Sequence, residues 1–262
     1  MRSSVAVRQR PEREARGQHF LRSSRLAADL VREAGVGRGQ RAFDIGAGTG
    51  VLTAALLDAG AAVTALEIDP ALAADLRRRF SGRDVRVVET DACRWSWPHE
   101  SFSIVSNLPF AGSGAVLDNL LRNPGHGLHH ADVIVQWEFA QKHAAVWPTT
   151  LRGVYWRAWF ELGIVARLTR GAFSPAPSVD AAVLRFARRH EPLVPAESHE
   201  RYRRILAKAF HSRAPLGSAL KGKVTPRELR RLAPVLGFDA SSYPRDLDAR
   251  QWAGVFAFAR DH

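Results

Sequence analysis

Short apolar runs alternate with segments of helical periodicity over the first two thirds of the chain. The apolar runs predict five strands, at residues 41–45, 62–66, 85–88, 102–105 and 131–136. The segments between and after them predict helices, among them 51–59, 70–80 and 137–144. Strands separated by helices of this length form βαβ units and a parallel sheet. The pattern therefore predicts an α/β fold.

The pattern changes beyond residue 150. Two further strands, at 155–165 and 181–186, are predicted to complete the sheet. From about residue 190 the apolar positions take helical spacing, which predicts helices at 197–211, 214–222, 225–236 and 248–260. The third of these begins at Thr225-Pro226-Arg227-Glu228, a capping signal. We therefore divide the chain into a basic flexible arm, 1–16, a first domain, 17–187, and a small all-helical domain, 188–262.

Composition narrows the class of protein. The chain has 262 residues, of which 46% are hydrophobic and 24% charged, as in globular proteins. Its single cysteine, Cys93, cannot form an internal disulfide or a thiolate metal cluster, which favours a reducing cytoplasm. The polar, arginine-rich start lacks the apolar core of a signal peptide. No run of eighteen apolar residues is free of charge, so no membrane span is expected.

Charge is distributed unevenly along the chain, whose formal net charge is +12. Residues 1–38 carry +5 and residues 188–262 carry +7, whereas 39–187 are neutral. A neutral middle between basic flanks indicates a small-molecule site framed by surfaces for a polyanion, with nucleic acid favoured. An arginine-rich genome is the alternative explanation. A membrane surface is disfavoured, because no basic amphipathic helix carries large apolar residues.

Glycines and acids follow the predicted strand ends. The stretch Asp44-Ile45-Gly46-Ala47-Gly48-Thr49-Gly50 joins a strand to a helix, and ligands of parallel sheets lie at such ends. Glu67 ends the second strand, where a carboxylate can accept both ribose hydroxyls, and Asp91 follows the third, where it can accept from an adenine amino group. The spacing G-x-G-x-G differs from the dinucleotide fingerprint. The ordered set favours S-adenosylmethionine over NAD, although each acid alone is an ordinary loop carboxylate.

The fourth strand ends in Asn107-Leu108-Pro109-Phe110. An amide, a rigid turn and an aromatic ring suit a flat base held by its edge and its face. The Asn107 side-chain oxygen and the Leu108 carbonyl can accept the two hydrogens of an adenine amine while Phe110 stacks on the ring. Taken alone, these residues fit an ordinary turn. Phe173 is a candidate second aromatic wall, and a core anchor is an equally good interpretation of it.

The ordered motifs resemble the adenine-N6 ribosomal RNA methyltransferases, which include the Erm and KsgA/Dim1 enzymes. The segments that carry the resemblance are Gly17 to Leu21, Asp44 to Gly50, Glu67, Asp91, Asn107 to Phe110 and Phe173 to Val179. The resemblance implies a Rossmann-like S-adenosylmethionine-dependent methyltransferase sheet and a small RNA-binding helical domain. It also implies that the cofactor or the reacting amine is contacted by His19, Leu21, Gly46, Gly48, Glu67, Asp91 and Asn107. His19 stands where the family often has Asn, and Phe110 where Tyr is commoner.

Two features are closer to Erm than to KsgA. They are the stretch Gln136-Trp137-Glu138-Phe139-Ala140-Gln141-Lys142 and the small residues Ala111-Gly112-Ser113-Gly114. The Erm resemblance implies methylation of one 23S rRNA adenine in the macrolide-binding region before full ribosome assembly, by a cytoplasmic monomer with no metal. It further implies resistance to macrolide, lincosamide and streptogramin B drugs.

Three alternatives remain at this stage. A KsgA/Dim1-like enzyme would dimethylate adjacent adenines of small-subunit rRNA by the same chemistry. A non-catalytic nucleic-acid-binding relative would keep the fold, although the intact motifs oppose it. A small-molecule or DNA methyltransferase is opposed by the basic helical segment 188–262.

Overall fold

A seven-stranded sheet carries the fold in the computed structural model, which describes residues 19–147 and 149–259. The strands are β1 (Phe20–Leu21), β2 (Arg41–Ile45), β3 (Ala62–Glu67), β4 (Val85–Glu89), β5 (Phe102–Asn107), β6 (Leu128–Gln136), β7 (Phe160–Leu168), β8 (Phe173–Ser174) and β9 (Ala181–Arg188). The large sheet has the order β4-β3-β2-β5-β6-β9-β7, and β1 pairs with β8 in a small antiparallel sheet. The predicted arm 1–16, and Gly17 and Gln18, lie outside the described residues.

Ten α-helices are present in the described ranges. They are α1 (Ser24–Glu33), α2 (Val51–Asp58), α3 (Pro70–Arg79), α4 (Ser113–Leu121), α5 (Trp137–Ala144), α6 (Leu151–Arg157), α7 (His199–His211), α8 (Leu216–Ala219), α9 (Pro226–Leu236) and α10 (Ala249–Phe258). In the part of the chain searched, none of these helices has the length and apolar character of a membrane span. The α/β Rossmann-like fold with C-terminal helices is confirmed.

The central strand of the large sheet is buried on both faces. Every residue of β5 except its last is buried, as expected for a strand that is covered on both faces. Strands β2, β3, β4, β5 and β6 are joined by parallel pairings, so their carboxyl ends meet at one edge. The predicted parallel sheet is confirmed for these five strands, and β9, one of the two strands predicted to complete the sheet, runs antiparallel to β6.

The predicted strand 155–165 is wrong over its first residues. Helix α6 occupies Leu151–Arg157, and the strand begins only at Phe160. The side chain of Thr150 caps this helix by accepting from the Gly153 N–H at 3.0 Å. Val154, Tyr155 and Trp156 are β-favouring residues that are buried in the helix, so packing overrides their propensity. Helix α4, which begins within the small-residue stretch after Phe110, was not predicted.

Capping side chains fix the starts of two further helices. Asp69 caps α3 by accepting from the Ala71 and Leu72 N–H groups, with Pro70 at the first helical position. Thr225 and Glu228 form the expected reciprocal capping box at the start of α9.

Contacts within the chain define two units that differ from the predicted domains. The first unit contains the residues up to Ala140 and Gly163–Ala187, and the second contains Gln141–Leu162 and Arg188–His262. The middle segment belongs to the second unit because α6 packs against α7 and α10. The segment contains three cations, Lys142, Arg152 and Arg157, and one acid, Glu161. Its net charge of +2 adds to the +7 of residues 188–262, so the second unit carries +9 of the total +12.

A buried acid links β2 to α2 in the first unit. Asp44 is fully buried, and its Oδ2 accepts a hydrogen bond from Thr53 Oγ1 at 2.6 Å. Burial raises the pKa of Asp44 from 3.8 to about 7, the Thr53 hydrogen bond acts in the opposite direction, and the neighbouring Glu67 raises it further. The folded state therefore binds the proton of Asp44 more tightly than the unfolded chain does.

We expect Asp44 to make the free energy of unfolding depend on pH. The stabilisation that Asp44 contributes is fully present below pH 4 and is lost as the pH rises through 7. Because the pKa rises from 3.8 to about 7, this loss can reach about 4 kcal/mol of the free energy of unfolding. Asp44→Asn, which mimics the protonated form, removes this dependence while the Thr53 hydroxyl keeps an acceptor. Urea unfolding of both proteins between pH 4 and 8 measures the difference.

The control is Asp75→Asn, which makes the same chemical change at an exposed side chain on α3. This variant keeps the wild-type pH dependence. Parallel stability curves for wild type and Asp44→Asn would contradict a raised pKa at Asp44.

Candidate active site

A cleft lies at the carboxyl ends of β2, β3 and β5. It is lined by His19, Phe20, Gly46, Glu67, Ile68, Asn107, Leu108, Pro109 and Phe110. Seven of these nine are residues that the sequence analysis selected, and they come from segments about ninety positions apart. The parallel sheet gathers Gly46, Glu67 and Asn107, because the strands β2, β3 and β5 end at the same edge. His19 precedes β1, which pairs with β8 in the small sheet.

The turn after β2 is a close-fitting glycine loop. Gly46, Gly48 and Gly50 all have positive φ, at 66°, 56° and 78°. The N–H groups of Gly46 and Ala47 donate to the Leu66 carbonyl at 2.8 and 3.1 Å, which fixes the loop against the end of β3. A Cβ on Gly48 would lie 2.5 Å from Cε1 of Phe20. Both the backbone conformation and the space therefore require glycine at position 48.

The carboxylate of Glu67 is oriented by two backbone donors. One oxygen accepts from the Gly48 N–H at 2.8 Å and the other from the Asp69 N–H at 2.9 Å. Glu67 is only 4% exposed, and it lines the cleft. Each carboxylate oxygen has a second lone pair, so both can accept a further hydrogen bond from a ligand.

The side chain of Asn107 has one end engaged and one end available. Its Nδ2 donates to the backbone carbonyl of His19 at 2.6 Å. Its Oδ1 is buried and has no hydrogen-bond partner within the described ranges. A buried acceptor without a partner is costly in a folded protein. This oxygen therefore marks a position where a ligand can donate a hydrogen.

His19 holds the cleft through its backbone and its ring. Its carbonyl accepts the Asn107 amide, and its Nδ1 lies 2.9 Å from the Pro175 carbonyl. The next two residues, Phe20 and Leu21, pair with Ser174 and Phe173 in the small sheet. The structure thus assigns the His19 backbone, rather than its side chain, to the contact with Asn107.

The backbone of the Asn107-Leu108-Pro109-Phe110 motif is fixed on both sides. Leu108 is buried, and its N–H donates to the Ile134 carbonyl at 3.1 Å. The Pro109 carbonyl accepts from the Gly112 N–H at 2.9 Å and from Ser113 Oγ at 3.0 Å. The small residues after the motif therefore anchor it to the start of α4.

Three rings surround the end of the motif. The Phe110 ring, which is partly exposed, lies 5.4 Å from His19 and 6.1 Å from Phe173, between ring centroids. Phe173 is only 1% exposed and meets Phe110 edge-on. In this arrangement Phe110 presents a ring to the cleft and Phe173 supports it from the core. Direct stacking of a substrate on Phe173 stays a prediction.

Four predicted residues do not line the cleft, namely Gly48, Phe173, Leu21 and Asp91. Cofactor contact by Gly48, whose N–H donates to Glu67, stays a prediction. Leu21 is buried in the core of the first unit. Asp91 begins the short 3₁₀ turn Ala92–Arg94, and its Oδ1 accepts from the Cys93 N–H at 2.9 Å. Asp91 is one residue beyond Thr90, whose N–H donates to the Glu67 carbonyl at 2.9 Å. Cofactor contacts by Leu21 and Asp91 stay predictions.

Sequence reasoning missed two lining residues, Phe20 and Ile68. Phe20 stands inside the Gly17 to Leu21 motif, but no periodicity indicates that its ring covers the glycine loop. Ile68 is an apolar residue between two acids and is 63% exposed. Its position directly after Glu67, at the end of β3, was a usable signal, because ligands of a parallel sheet lie at the carboxyl ends of the strands. Over the residues searched, no three His, Cys, Asp or Glu side chains form a candidate metal site.

Comparisons with known proteins show the family of the chain. The profile of the family described as ribosomal RNA adenine dimethylase matches residues 10–236. The mycinamicin-resistance protein MyrB of Micromonospora griseorubida is 30% identical over 94% of this chain and 78% of its own length. The ribosomal RNA small subunit methyltransferase A of Thermosynechococcus vestitus is 32% identical, over 91% and 93%.

A solved structure extends the likeness to the whole fold. The crystal structure of the 23S rRNA methyltransferase ErmE superposes with a TM-score of 0.77 at 28% identity, over 91% of this chain and 98% of ErmE. The glycine loop, the buried Glu67 and the Asn107 motif occupy one cleft in a fold of this kind. The chain therefore belongs to the ribosomal RNA adenine dimethylase family and is an Erm-type rRNA adenine N6-methyltransferase.

Proposed function

We propose that the protein transfers a methyl group from S-adenosylmethionine to the exocyclic N6 of one adenine in 23S rRNA. The target lies in the macrolide-binding region of the peptidyl-transferase centre, and its methylation confers resistance to macrolide, lincosamide and streptogramin B drugs. The observation that carries the proposal is the Oδ1 of Asn107, which is buried and has no hydrogen-bond partner in the described chain, in a residue that lines the cleft. An adenine amine supplies the missing donor.

The residues of the cleft fit an adenosyl cofactor. Glu67 offers two oriented oxygens to the ribose hydroxyls, and the glycine loop allows close approach of its backbone. Exposed Ile68 offers an apolar surface to the adenine ring. Asp91 is proposed to accept from the adenine amino group. The bound cofactor supplies an electrophilic methyl group.

Asn107 and Leu108 prepare the amine for attack. The lone pair of an adenine amine is delocalised into the ring, which makes it a poor nucleophile. The Asn107 oxygen and the Leu108 carbonyl accept its two hydrogens and direct electron density back to the nitrogen. The hydrogen bond from Asn107 to His19 fixes the orientation of this acceptor before substrate arrives. The surplus proton leaves after the methyl group has transferred, so no carboxylate base is needed.

Phe110 orients the base. An adenine reaches this cleft only after it is extruded from its stack, at a cost of a few kcal/mol. Stacking on the Phe110 ring offsets part of that cost and aligns the amine. Phe173 lies edge-on behind Phe110, so it restricts the angles at which the Phe110 ring can stand.

Ribosomal RNA is proposed as the substrate because of the positive charge of the second unit and because of the names of similar proteins. The second unit carries most of the positive charge, which suits a ribosomal RNA backbone. The names of MyrB and ErmE concern mycinamicin resistance and a 23S rRNA methyltransferase. The Gln136 to Lys142 stretch of this chain resembles the one expected of Erm proteins. We further propose that the protein acts as a monomer in the cytoplasm and methylates 23S rRNA before the ribosome is fully assembled.

Small-subunit rRNA is the second candidate substrate, because the Thermosynechococcus vestitus relative is equally similar over most of its length. Primer extension on ribosomal RNA from cells expressing the protein distinguishes the two. A stop in the macrolide-binding region of 23S rRNA supports the proposal. A stop near the 3′ end of small-subunit rRNA supports KsgA/Dim1-like activity. If neither stop occurs and calorimetry shows no cofactor binding, a non-catalytic nucleic-acid-binding role is favoured.

Asn107→Ala is expected to lower kcat by about 100-fold or more, because it removes the acceptor of the reacting amine. Cofactor affinity stays within about tenfold, since the hydrogen bond that Asn107 makes to the amine is strongest in the transition state. Single-turnover methyl transfer and calorimetry measure the two effects. Asn123→Ala, a surface change outside the cleft, is the control and keeps full activity. Full activity of Asn107→Ala would refute the assigned role.

Phe110→Tyr is expected to keep activity within about threefold, whereas Phe110→Ala loses about tenfold or more in kcat/KM for RNA. The ring face is what matters, and tyrosine retains it. Steady-state kinetics with an rRNA fragment test the series. Equal turnover by all three proteins would exclude stacking by Phe110.

Gly48→Ala is expected to weaken S-adenosylmethionine binding by about tenfold or more. The added Cβ overlaps the Phe20 ring and disturbs the N–H that orients Glu67. Gly222→Ala is the matched control, because Gly222 also has a positive φ, of 83°, but a Cβ there meets nothing within 4 Å. Both variants carry the same kind of backbone strain, so calorimetry that shows equal cofactor affinity in the two would contradict the prediction.

A further inference from the structure

A cavity of about 580 Å³ lies within the second unit and is not used by the methyl-transfer chemistry. Its lining residues are Lys142, His143, Ala145, Thr149, Thr150, Leu151, Arg152, Phe210, His211 and Arg245. They come from the end of α5, the start of α6, the end of α7 and the short turn Pro244–Asp246. No carboxylate is among these lining residues, although the second unit contains several acids.

The lining of this cavity is positively charged. Lys142, Arg152 and Arg245 contribute three cations to it. In the described part of the chain, neither the Lys142 ammonium nor the Arg245 guanidinium forms an ion pair. His143 is buried, and its pKa is lowered to about 4 by burial and by the charges of Arg152 and Lys142.

The backbone around the cavity is held in place. Thr149 donates to the Arg245 carbonyl both from its N–H, at 3.0 Å, and from its hydroxyl, at 3.1 Å. The neighbouring Trp147 donates from its indole N–H to the Asp246 carbonyl at 3.1 Å. These three bonds join the segment after α5 to the turn that carries Arg245. The cations therefore sit on a connected backbone rather than on separate loops.

Aromatic surface accompanies the cations. Trp147 is 58% exposed even though its N–H is anchored, so a face of its indole is open to solvent. Phe210 lines the cavity itself and is partly buried. Cations for the backbone combined with aromatic faces for the bases are typical of surfaces that hold single-stranded nucleic acid. A small free anion would need the cations but not the exposed indole.

We propose that this cavity binds a backbone phosphate of the substrate RNA and that Trp147 stacks on an adjacent unpaired base. The proposal rests on the proposed function, since it assumes an RNA substrate. It also gives a role to Lys142, the last residue of the Gln136 to Lys142 stretch. The site would anchor RNA for methylation, so its residues act on RNA affinity and not on the chemical step.

The double variant Lys142→Gln/Arg245→Gln tests the phosphate contact. RNA affinity is expected to fall by about tenfold or more, and the slope of log affinity against log salt to decrease by about 0.7 for each phosphate that the protein no longer neutralises. Arg230→Gln/Arg231→Gln is the matched control, because it removes the same charge from exposed positions of α9 outside the cavity. The control is expected to change affinity by less than about threefold. Equal losses in the two variants would refute a localised site.

Trp147→Ala tests the stacking surface. Affinity for an rRNA fragment is expected to fall on the order of tenfold with the salt slope unchanged, because no charge is removed. Trp147→Phe retains a ring and is expected to restore most of the affinity. An RNA affinity of Trp147→Ala equal to that of wild type would remove Trp147 from the site.

Two further measurements separate the possible failures. Methyl transfer at saturating RNA, together with cofactor affinity, is expected to be normal in the cavity variants. If the wild-type protein methylates no rRNA, the proposed function fails; if it does and the cavity variants match their control, only this inference fails. Titration with inorganic phosphate covers the other source of the same chemistry. Saturable phosphate binding that the double variant loses, with RNA affinity and salt slope unchanged, would assign the cavity to a free anion.

Discussion

The hydrogen bond from Asn107 to the His19 carbonyl determines how the cleft can be used. A side-chain amide has a donor end and an acceptor end, and this bond commits the donor end to the protein. Only the acceptor remains for a ligand, which selects substrates that present an N–H. The bond in turn depends on the small sheet that pairs Phe20 with Ser174, because this pairing places the His19 carbonyl. Loss of that sheet would let the amide rotate and would erase the selection.

Much of the site was predictable because it follows local rules. Strand ends of a parallel sheet share an edge, so Gly46, Glu67 and Asn107 could be placed together from their order alone. Helix α6 could not be predicted, since packing within the second unit overrides the strand preference of Tyr155 and Trp156. The role of His19 was also hidden from sequence, because its backbone makes the contact with Asn107.

The net charge of long sequence segments did not reveal all the basic residues of the second unit. Residues 39–187 are neutral as a whole, and this neutrality indicated a small-molecule site framed by basic surfaces in the two flanks. The fold assigns residues 141–162 to the second unit, and with them Lys142, Arg152 and Arg157. All the acids of residues 39–187 except Glu161 remain in the first unit, where Asp69 caps a helix and Glu67 accepts from the glycine loop. The distribution of charged residues between the two units thus follows contacts in space rather than position in the chain.

The interrupted path of the chain restricts how the protein can be cut or rearranged. The polypeptide passes between the units three times, after Ala140, after Leu162 and after Ala187. All three of these passages lie inside continuous elements, helix α5 and strands β7 and β9. A gene fragment that encodes only residues 188–262 would lack α6, which packs against α7 and α10. Recombination between related genes can therefore exchange the helical unit intact only if it also carries the internal segment 141–162.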